Sequence, residues 1–241
     1  PGRGRALAAA WRLFLPGQET PVPPAAPTPD AEALVWQLDL GGDAPAGRFA
    51  KTPSLCGPVK EAFNAPFVLV PGTAGDEAAT SDLAGKARRF QEEWWQFAKG
   101  RPPIVPDAEL TPALVRAKHL VLFGSPATHG YIKTIADRLP FTFGPHAYGV
   151  GPRTVRAAPG EELGLVAIHP NPASPNRYVV VMDGLFYGDQ LPINHKWDLV
   201  PDYIVFTRSV DTYDSTNTAQ LAGLLDAHWR FDPVLAHPPA D

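Results

Sequence analysis

Short apolar runs alternate with longer amphipathic segments along the first half of the chain. Residues 66–71 and His119–Phe123 are apolar at nearly every position and are short, which is typical of buried strands. Between them, residues 76–99 predict the longest helix, which Gly100 ends. Residues 131–139 predict a further helix. Strands that alternate with helices in this way favour a parallel α/β unit.

The pattern changes after Pro140. Residues 202–207 predict one more buried strand, and residues 218–229 predict a closing helix. We therefore predict an α/β domain with a three-layer, mostly parallel sheet, Rossmann-like or flavodoxin-like, and an additional antiparallel or mixed β part. The short strand-like runs of this second part lie at residues 141–143, 147–150, 154–157, 163–168 and 177–182.

Prolines suggest the boundaries of the domain. Residues 5–15 have an amphipathic, helix-like pattern, and six prolines follow within residues 16–30, which favours an extended, semi-rigid linker. We predict that residues 1–30 are a docking arm made of this helix and linker. Residues 31–232 then form a single α/β domain, and residues 233–241 are a polar tail. Because the chain begins with proline, we expect a processed product or a piece of a longer chain.

Composition narrows the class of protein. The chain has 29 prolines in 241 residues, about 12% against a usual level of about 5%, yet 44% of its residues are hydrophobic, which argues for a folded protein. The net charge is −4 and the basic residues are scattered, so we expect no nucleic-acid partner. No apolar run approaches the roughly 20 residues of a membrane helix. The single cysteine, Cys56, excludes an internal disulfide.

The turn after the first buried strand is the first candidate site. It contains Gly72, Thr73, Gly75 and Asp76 and leads into the longest helix, where backbone N–H groups can bind a phosphate, as in flavodoxin-like proteins. Asp76 and Glu77 already place negative charge at the start of the helix. The turn also matches neither common phosphate-binding glycine motif. We therefore predict ordinary helix capping and no cofactor, with a phosphate or flavin site as the alternative.

The second candidate site follows the second buried strand and contains Ser125, Thr128 and His129. The carboxyl ends of parallel strands are where open α/β sheets place their sites. A serine nucleophile would need the pattern G-x-S-x-G, and the following residue here, Pro126, has no N–H to donate to an oxyanion. We predict that Ser125 or Thr128 caps a helix. The alternative is a serine hydrolase that uses Ser125 with His129 or His169.

The third candidate site is a proline-rich loop that contains His169, Asn171, Asn176 and Arg177. Its prolines make it rigid, and its asparagines favour turns by bonding to nearby backbone. Such a loop can present polar side chains to a ligand. We favour a structural crossover whose side chains satisfy the loop's own backbone.

Two further patterns indicate structure more than chemistry. Residues 194–198 contain one histidine and one aspartate, whereas a metal site needs three or four converging ligands, so we expect no metal. Trp94 and Trp95 lie inside the longest predicted helix, which favours packing over a platform for a sugar.

Several stretches between Lys51 and Trp229 together resemble a known family. The most specific of them is the proline-rich segment over residues 170–180, which ends in Arg-Tyr-Val-Val. In order and spacing they are similar to the C-terminal region of large exported serine hydrolases of planctomycete- and verrucomicrobia-type bacteria, of the prolyl-oligopeptidase or α/β-hydrolase type. The other stretches are residues 57–63, 67–70, 119–126, 135–140, 201–203 and 225–229.

This resemblance implies a domain that follows the hydrolase domain, with the Ser-Asp-His machinery elsewhere. The family has asparagine near the position of His129, so we transfer no catalytic residue. The implied function is a non-catalytic accessory or interaction domain that is exported and packs on a hydrolase domain or another subunit, with residues 1–30 as the docking arm. A serine hydrolase part and a flavodoxin-like phosphate or flavin binder remain the alternatives.

Overall fold

The computed structural model describes residues 49–189, 191–198, 200–208 and 219–238. They belong to a compact unit assigned to Ala46–Asp241. The predicted docking arm over residues 1–30 lies outside the described residues.

Helices and strands alternate in the first half of the described chain, and strands dominate the second half. The helices are α1 (Glu77–Ala98), α2 (Pro112–Ala117) and α3 (Gly130–Ile135), with 3-10 turns at Val59–Phe63, Asp107–Glu109, Ala136–Arg138 and Ile193–His195. The strands are β1 (Phe67–Pro71), β2 (His119–Phe123), β3 (Phe141–Gly144), β4 (Ala147–Val150), β5 (Arg153–Arg156), β6 (Gly164–Asn171), β7 (Ser174–Gly184), β8 (Tyr203–Phe206), β9 (Ala219–Leu225) and β10 (Phe231–His237).

Seven of these strands form one mixed sheet in the order β1-β2-β7-β6-β8-β9-β10. The strands β1, β2 and β7 are parallel, and the other four neighbouring pairs are antiparallel. The α/β class and the antiparallel or mixed part are therefore confirmed, whereas the predicted excess of parallel strands is wrong. A three-layer, Rossmann-like arrangement is not confirmed, because the described helices are few. The strands β3, β4 and β5 form a separate antiparallel sheet.

The proline-rich loop is the main reason why the large sheet has more antiparallel pairs than predicted. β6 ends at Asn171 and β7 begins at Ser174, so the segment is the tight turn of a long β-hairpin. A hairpin turn reverses the chain and pairs its strands antiparallel, whereas a parallel pair needs a long crossover. The prediction of a crossover at this position is wrong.

The helix ends follow from local chemistry. Asp76 caps α1 by accepting a hydrogen bond from the backbone N–H of Ala79 at 2.8 Å, as the predicted capping requires. Lys99 ends the helix in the left-handed conformation at φ 55°. Thr111 caps α2, whose first residue is Pro112. Among the described residues, no helix has both the length and the apolar character needed to cross a bilayer.

The hydrophobic core extends along the large sheet, and one part of it lies between α1 and the parallel end. Every residue of β1 and β2 is buried. Phe67 of β1 and Phe90 and Trp94 of α1 pack against one another with ring centroids 5.2–6.3 Å apart. The predicted packing role of Trp94 is confirmed, and Trp95 on the other side of the helix is 39% exposed. Aromatic burial on this scale fixes α1 against β1.

The C-terminal segment differs from the prediction. Residues predicted as a closing helix form β9 and the following turn, where Trp229 has φ 59°. Leu221 and Leu225 are buried, and their spacing of four residues fits one face of a helix or of a strand equally well. Pairing with β8 decides for the strand. β10 then occupies Phe231–His237. Residues 233–237 of the predicted polar tail are therefore part of a strand, and the prediction is wrong at those positions.

Candidate functional site

The turns that follow β1 and β2 lie against each other, as their position after parallel neighbours predicts. The N–H of Gly72 donates to the carbonyl of Phe123, and the N–H of Ala74 donates to the carbonyl of Thr128, both at 3.0 Å. A Cβ on Gly72 would lie 2.3 Å from that Thr128 oxygen, so only glycine permits this approach. The first two candidate sites therefore form a single polar cluster.

Asp107 holds this cluster together. One carboxylate oxygen accepts from the hydroxyl of Thr73 at 2.6 Å, and the other accepts from the N–H of Gly130 at 2.5 Å. The carboxylate is almost fully buried, 3.4 Å from Nδ1 of His129. Sequence reasoning missed this residue. Ile104, three residues earlier in the chain, pairs with Leu69 of β1.

His129 connects α3 to β1. Its Nδ1 accepts the backbone N–H of Ile132 at 3.3 Å, which makes it the cap of α3, so Nε2 carries the proton and donates to the carbonyl of Val70 at 3.2 Å. The ring is fully buried, and burial lowers its pKa to about 4, although Asp107 acts in the opposite direction. The imidazole is neutral and both of its nitrogens are occupied.

Ser125 and Thr128 form the turn before α3. The hydroxyl of Thr128 accepts the N–H of Ser125 at 3.0 Å, and the two hydroxyl oxygens are 3.5 Å apart. In the described part of the chain, no hydrogen bond joins the Ser125 hydroxyl to His129 or His169. The prediction that Ser125 or Thr128 caps the helix is wrong, since His129 fills that position.

The residues of the third candidate site make structural contacts, one of them with α3. Asn171 is fully buried, and its Oδ1 accepts from the hydroxyl of Tyr131 at 2.7 Å. His169 is 3% exposed within an aromatic group that includes Trp229, and burial lowers its pKa to about 4. Arg177 donates to the carbonyls of Arg116 and of Asn176, its neighbour in the chain.

A cavity of about 560 Å³ lies beside the carboxyl end of β7, and we call it the β7 cavity. Its wall combines α1, the β3–β4 turn with the start of β4, the segment before β6 and the segments after β7 and β8. Tyr148 of β4 donates its hydroxyl proton to Asp183 at 2.8 Å. Lys86 of α1 donates to the carbonyl of Gly184 at 2.7 Å and to Asp82 at 2.6 Å.

Burial shifts the pKa values of both members of the Tyr148–Asp183 pair. Burial raises the pKa of the Asp183 carboxyl, while the Tyr148 hydroxyl, the N–H of Gly184 and the charge of Lys86 act in the opposite direction. Burial also raises the pKa of Tyr148, and the Asp183 charge adds to this effect. The phenol therefore stays protonated and donates to its partner.

The rim of the β7 cavity carries charges in pairs. Glu162 forms an ion pair with Arg208, and Asp189 forms one with Arg89 of α1. The Arg89 guanidinium lies 4.3 Å from the ring centre of Phe186, which also lines the cavity. Sequence reasoning missed this site because its residues come from separate segments. The only local signal was the spacing of four residues between Asp82 and Lys86 on a helix.

The described residues contain no group of three or more histidine, cysteine, aspartate or glutamate side chains placed to hold a metal ion. Comparisons with protein-family models, curated proteins and solved structures found no match to this chain. The resemblance to the C-terminal region of exported serine hydrolases therefore stays a prediction from the sequence.

Proposed function

We propose that this chain is a non-catalytic accessory domain that binds a protein partner, either a hydrolase domain or another subunit. The observation that carries the proposal is an apolar surface on the last hairpin. Val234 is 87% exposed, and Leu224 and Leu235 are each 41% exposed. We call these three residues the hairpin patch.

The hairpin patch lies on the two paired strands of the last hairpin. Gly223 of β9 pairs with Ala236 of β10, and Leu224 and Leu235 are their neighbours in the chain. Fully burying one valine or leucine side chain is worth roughly 1.5–3 kcal/mol. A partner that covers the hairpin patch therefore gains several kcal/mol.

The partner contacts side chains in this proposal and does not extend the sheet. Pro233 lies within β10 and has no N–H to donate to an added strand. The pairing of β10 with β9 is also irregular between Phe231 and Ala236. Proline and bulges are devices that prevent edge strands from adding further strands. The exposed apolar side chains remain available on the surface of the hairpin.

The candidate catalytic side chains already have hydrogen-bond partners within the protein, and this supports the proposal that the domain is non-catalytic. Both ring nitrogens of His129 have backbone partners, and Ser125 lies in a turn with Thr128. The buried carboxylate of Asp107 bonds to Thr73 and argues against a phosphate at this turn, because the two negative charges would repel each other. These contacts weaken both the hydrolase and the flavin alternatives.

A binding experiment tests the proposal. The probe is a purified catalytic domain from an exported prolyl-oligopeptidase-type serine hydrolase, mixed with the full chain and analysed by size exclusion with light scattering. We expect a one-to-one complex that is lost in the double variant Val234→Glu, Leu235→Glu. The matched control is Phe97→Glu, since Phe97 is 48% exposed on α1, far along the sheet order from β10.

The contrary outcomes are equally defined. Failure of the wild-type chain to bind the catalytic domain, or equal loss of binding in the control, would reject the hairpin patch as the interface. Labelling of the wild-type chain by a serine-reactive fluorophosphonate, with loss of the label in Ser125→Ala, would replace the accessory function with the hydrolase alternative. The docking arm over residues 1–30 and the exported location remain predictions from the sequence.

A further inference from the structure

The β7 cavity has the size and position of a ligand site. Its volume of about 560 Å³ lies within the range of roughly 300–1,000 Å³ typical of small-molecule sites. It lies at the end of β7, where the sheet changes from the parallel pair β2-β7 to the antiparallel pair β7-β6. In open α/β sheets, ligands bind in crevices outside the carboxyl ends of the parallel strands.

The charges of the cavity point to an uncharged ligand. Lys86 is paired with Asp82, and Arg208 is paired with Glu162. Asp189, the remaining acidic residue of the wall, is paired with Arg89 just behind it. An anion or a cation would have to compete with a pair that already exists. A neutral ligand leaves every pair intact.

The same pairs are well suited to hydroxyl groups. Each pair offers carboxylate oxygens that accept hydrogen bonds next to nitrogens that donate them, and a hydroxyl does both. The phenol oxygen of Tyr148 uses its proton on Asp183 and keeps its lone pairs to accept a further bond. A ligand rich in hydroxyls therefore finds donors and acceptors side by side on this wall.

The remaining wall contains His146 and is otherwise apolar or formed by glycine. Leu163, Leu185 and Phe186 supply carbon surface for the C–H groups of a ligand. Gly184 has φ 70°, and a Cβ there would lie 2.6 Å from the Tyr148 hydroxyl and 2.1 Å from the carbonyl oxygen of Leu163. Glycine at this position therefore keeps the polar floor of the cavity in place.

We infer that the β7 cavity binds a neutral, hydroxyl-rich small molecule of the carbohydrate class, about the size of a disaccharide. This site is separate from the hairpin patch, and its ligand is independent of the protein partner proposed above. Binding at the cavity can fail while the partner still binds at the hairpin, and the reverse also holds.

Saturation-transfer NMR and calorimetry on the full chain test this inference. The neutral probes are maltose, cellobiose, lactose, sucrose and trehalose, and the charged probes are glucose 6-phosphate and spermidine. We expect at least one neutral disaccharide to bind with a Kd below about 1 mM, a typical weak specific affinity. Neither charged probe is expected to bind more tightly than that disaccharide.

Two variants locate the binding. Lys86→Met removes the ammonium from the wall, and Tyr148→Phe removes a hydroxyl while keeping the ring, so each is expected to weaken binding at least tenfold. Lys133→Met on the exposed side of α3 is the matched control and is expected to bind like the wild type. Near-ultraviolet circular dichroism checks that every variant is folded.

Three results would overturn the inference. The first is the absence of binding by every neutral disaccharide. The second is tighter binding of glucose 6-phosphate or spermidine, which would assign the cavity to an anion or to an organic cation. The third is an equal effect of Lys86→Met and Lys133→Met in folded protein, which would place the ligand elsewhere.

Discussion

Acid is expected to destabilise this protein through its buried histidines, and His119 offers the sharpest test. His119 lies in β2 and is 6% exposed. Its Nδ1 accepts the backbone N–H of Tyr178 in β7 at 2.7 Å, so the proton of the neutral ring is on Nε2. Burial lowers the pKa of His119 to about 4, and the charge of Arg177 acts in the same direction, against Glu61.

The free energy of unfolding decreases as the pH falls, because the unfolded chain binds a proton at His119 more tightly than the folded chain does. The unfolded chain binds a proton at His119 near pH 6.5, whereas the folded chain binds it only near pH 4. Between these values the unfolded state holds more protons, so stability falls as the pH falls. At pH 5.0 the free energy of unfolding is lower than at pH 7.5 by about 2 kcal/mol for this one group.

His129 and His169 have pKa values lowered to the same level by burial. Protonation of these two groups acts in the same direction as that of His119, whereas the carboxyls of Asp183 and Asp202, whose pKa values burial raises, act in the opposite direction. The assay is urea unfolding followed by tryptophan fluorescence at pH 7.5, 6.0 and 5.0. We expect the wild-type protein to be less stable at pH 5.0 than at pH 7.5.

The variant His119→Asn isolates one contribution. Its amide oxygen can accept the Tyr178 N–H in place of Nδ1, but the side chain does not titrate. We expect its loss of stability between pH 7.5 and 5.0 to be smaller than that of the wild type by about 2 kcal/mol. The control is His146→Asn on an exposed turn. Equal losses in His119→Asn and the wild type would refute the reasoning.

Two further substitutions test local features. Asp76→Ala removes the cap of α1 and is expected to lower the free energy of unfolding by about 1 kcal/mol, with Asp76→Asn near the wild type, both measured by urea unfolding. Lys196→Ala removes the buried ammonium that pairs with Glu93 at 2.5 Å, while Arg89 still pairs with Glu93 at 3.0 Å, and it is expected to lower the free energy of unfolding by about 2 kcal/mol. The double variant Lys196→Met, Glu93→Leu is expected to lose less free energy of unfolding than Lys196→Ala, measured by thermal or urea unfolding. An equal or larger loss in the double variant would contradict the ion-pair argument.

The elements that the sequence predicted best are those with local signals. β1 and β2 are apolar throughout, and α1 has its cap at Asp76, so neighbouring residues alone specify them. β9 was misassigned because Leu221 and Leu225 fit either period. Its partner β8 decides between them, and that pairing depends on residues distant in the chain.

The candidate site residues also divide into those placed by neighbouring strands and those placed by contacts between distant segments. Thr73, Thr128 and His129 lie together because they follow parallel neighbouring strands. Asp107, which binds them together, reaches the cluster through the pairing of Ile104 with β1. The β7 cavity needs α1, β4, the end of β7 and the segment before β6 in place at once, so the spacing of Asp82 and Lys86 alone does not indicate it.

The sequence by itself determined the first buried strands, the main helix with its ends, and the residues that meet after β1 and β2. The tertiary structure decided the direction of β7, the strand at β9, the use of His129 as a cap and the existence of the β7 cavity. The physical reason is the distance along the chain over which each kind of interaction acts. Periodicity and capping act over a few residues, whereas strand partners, burial and ion pairs are set by groups that only folding brings together.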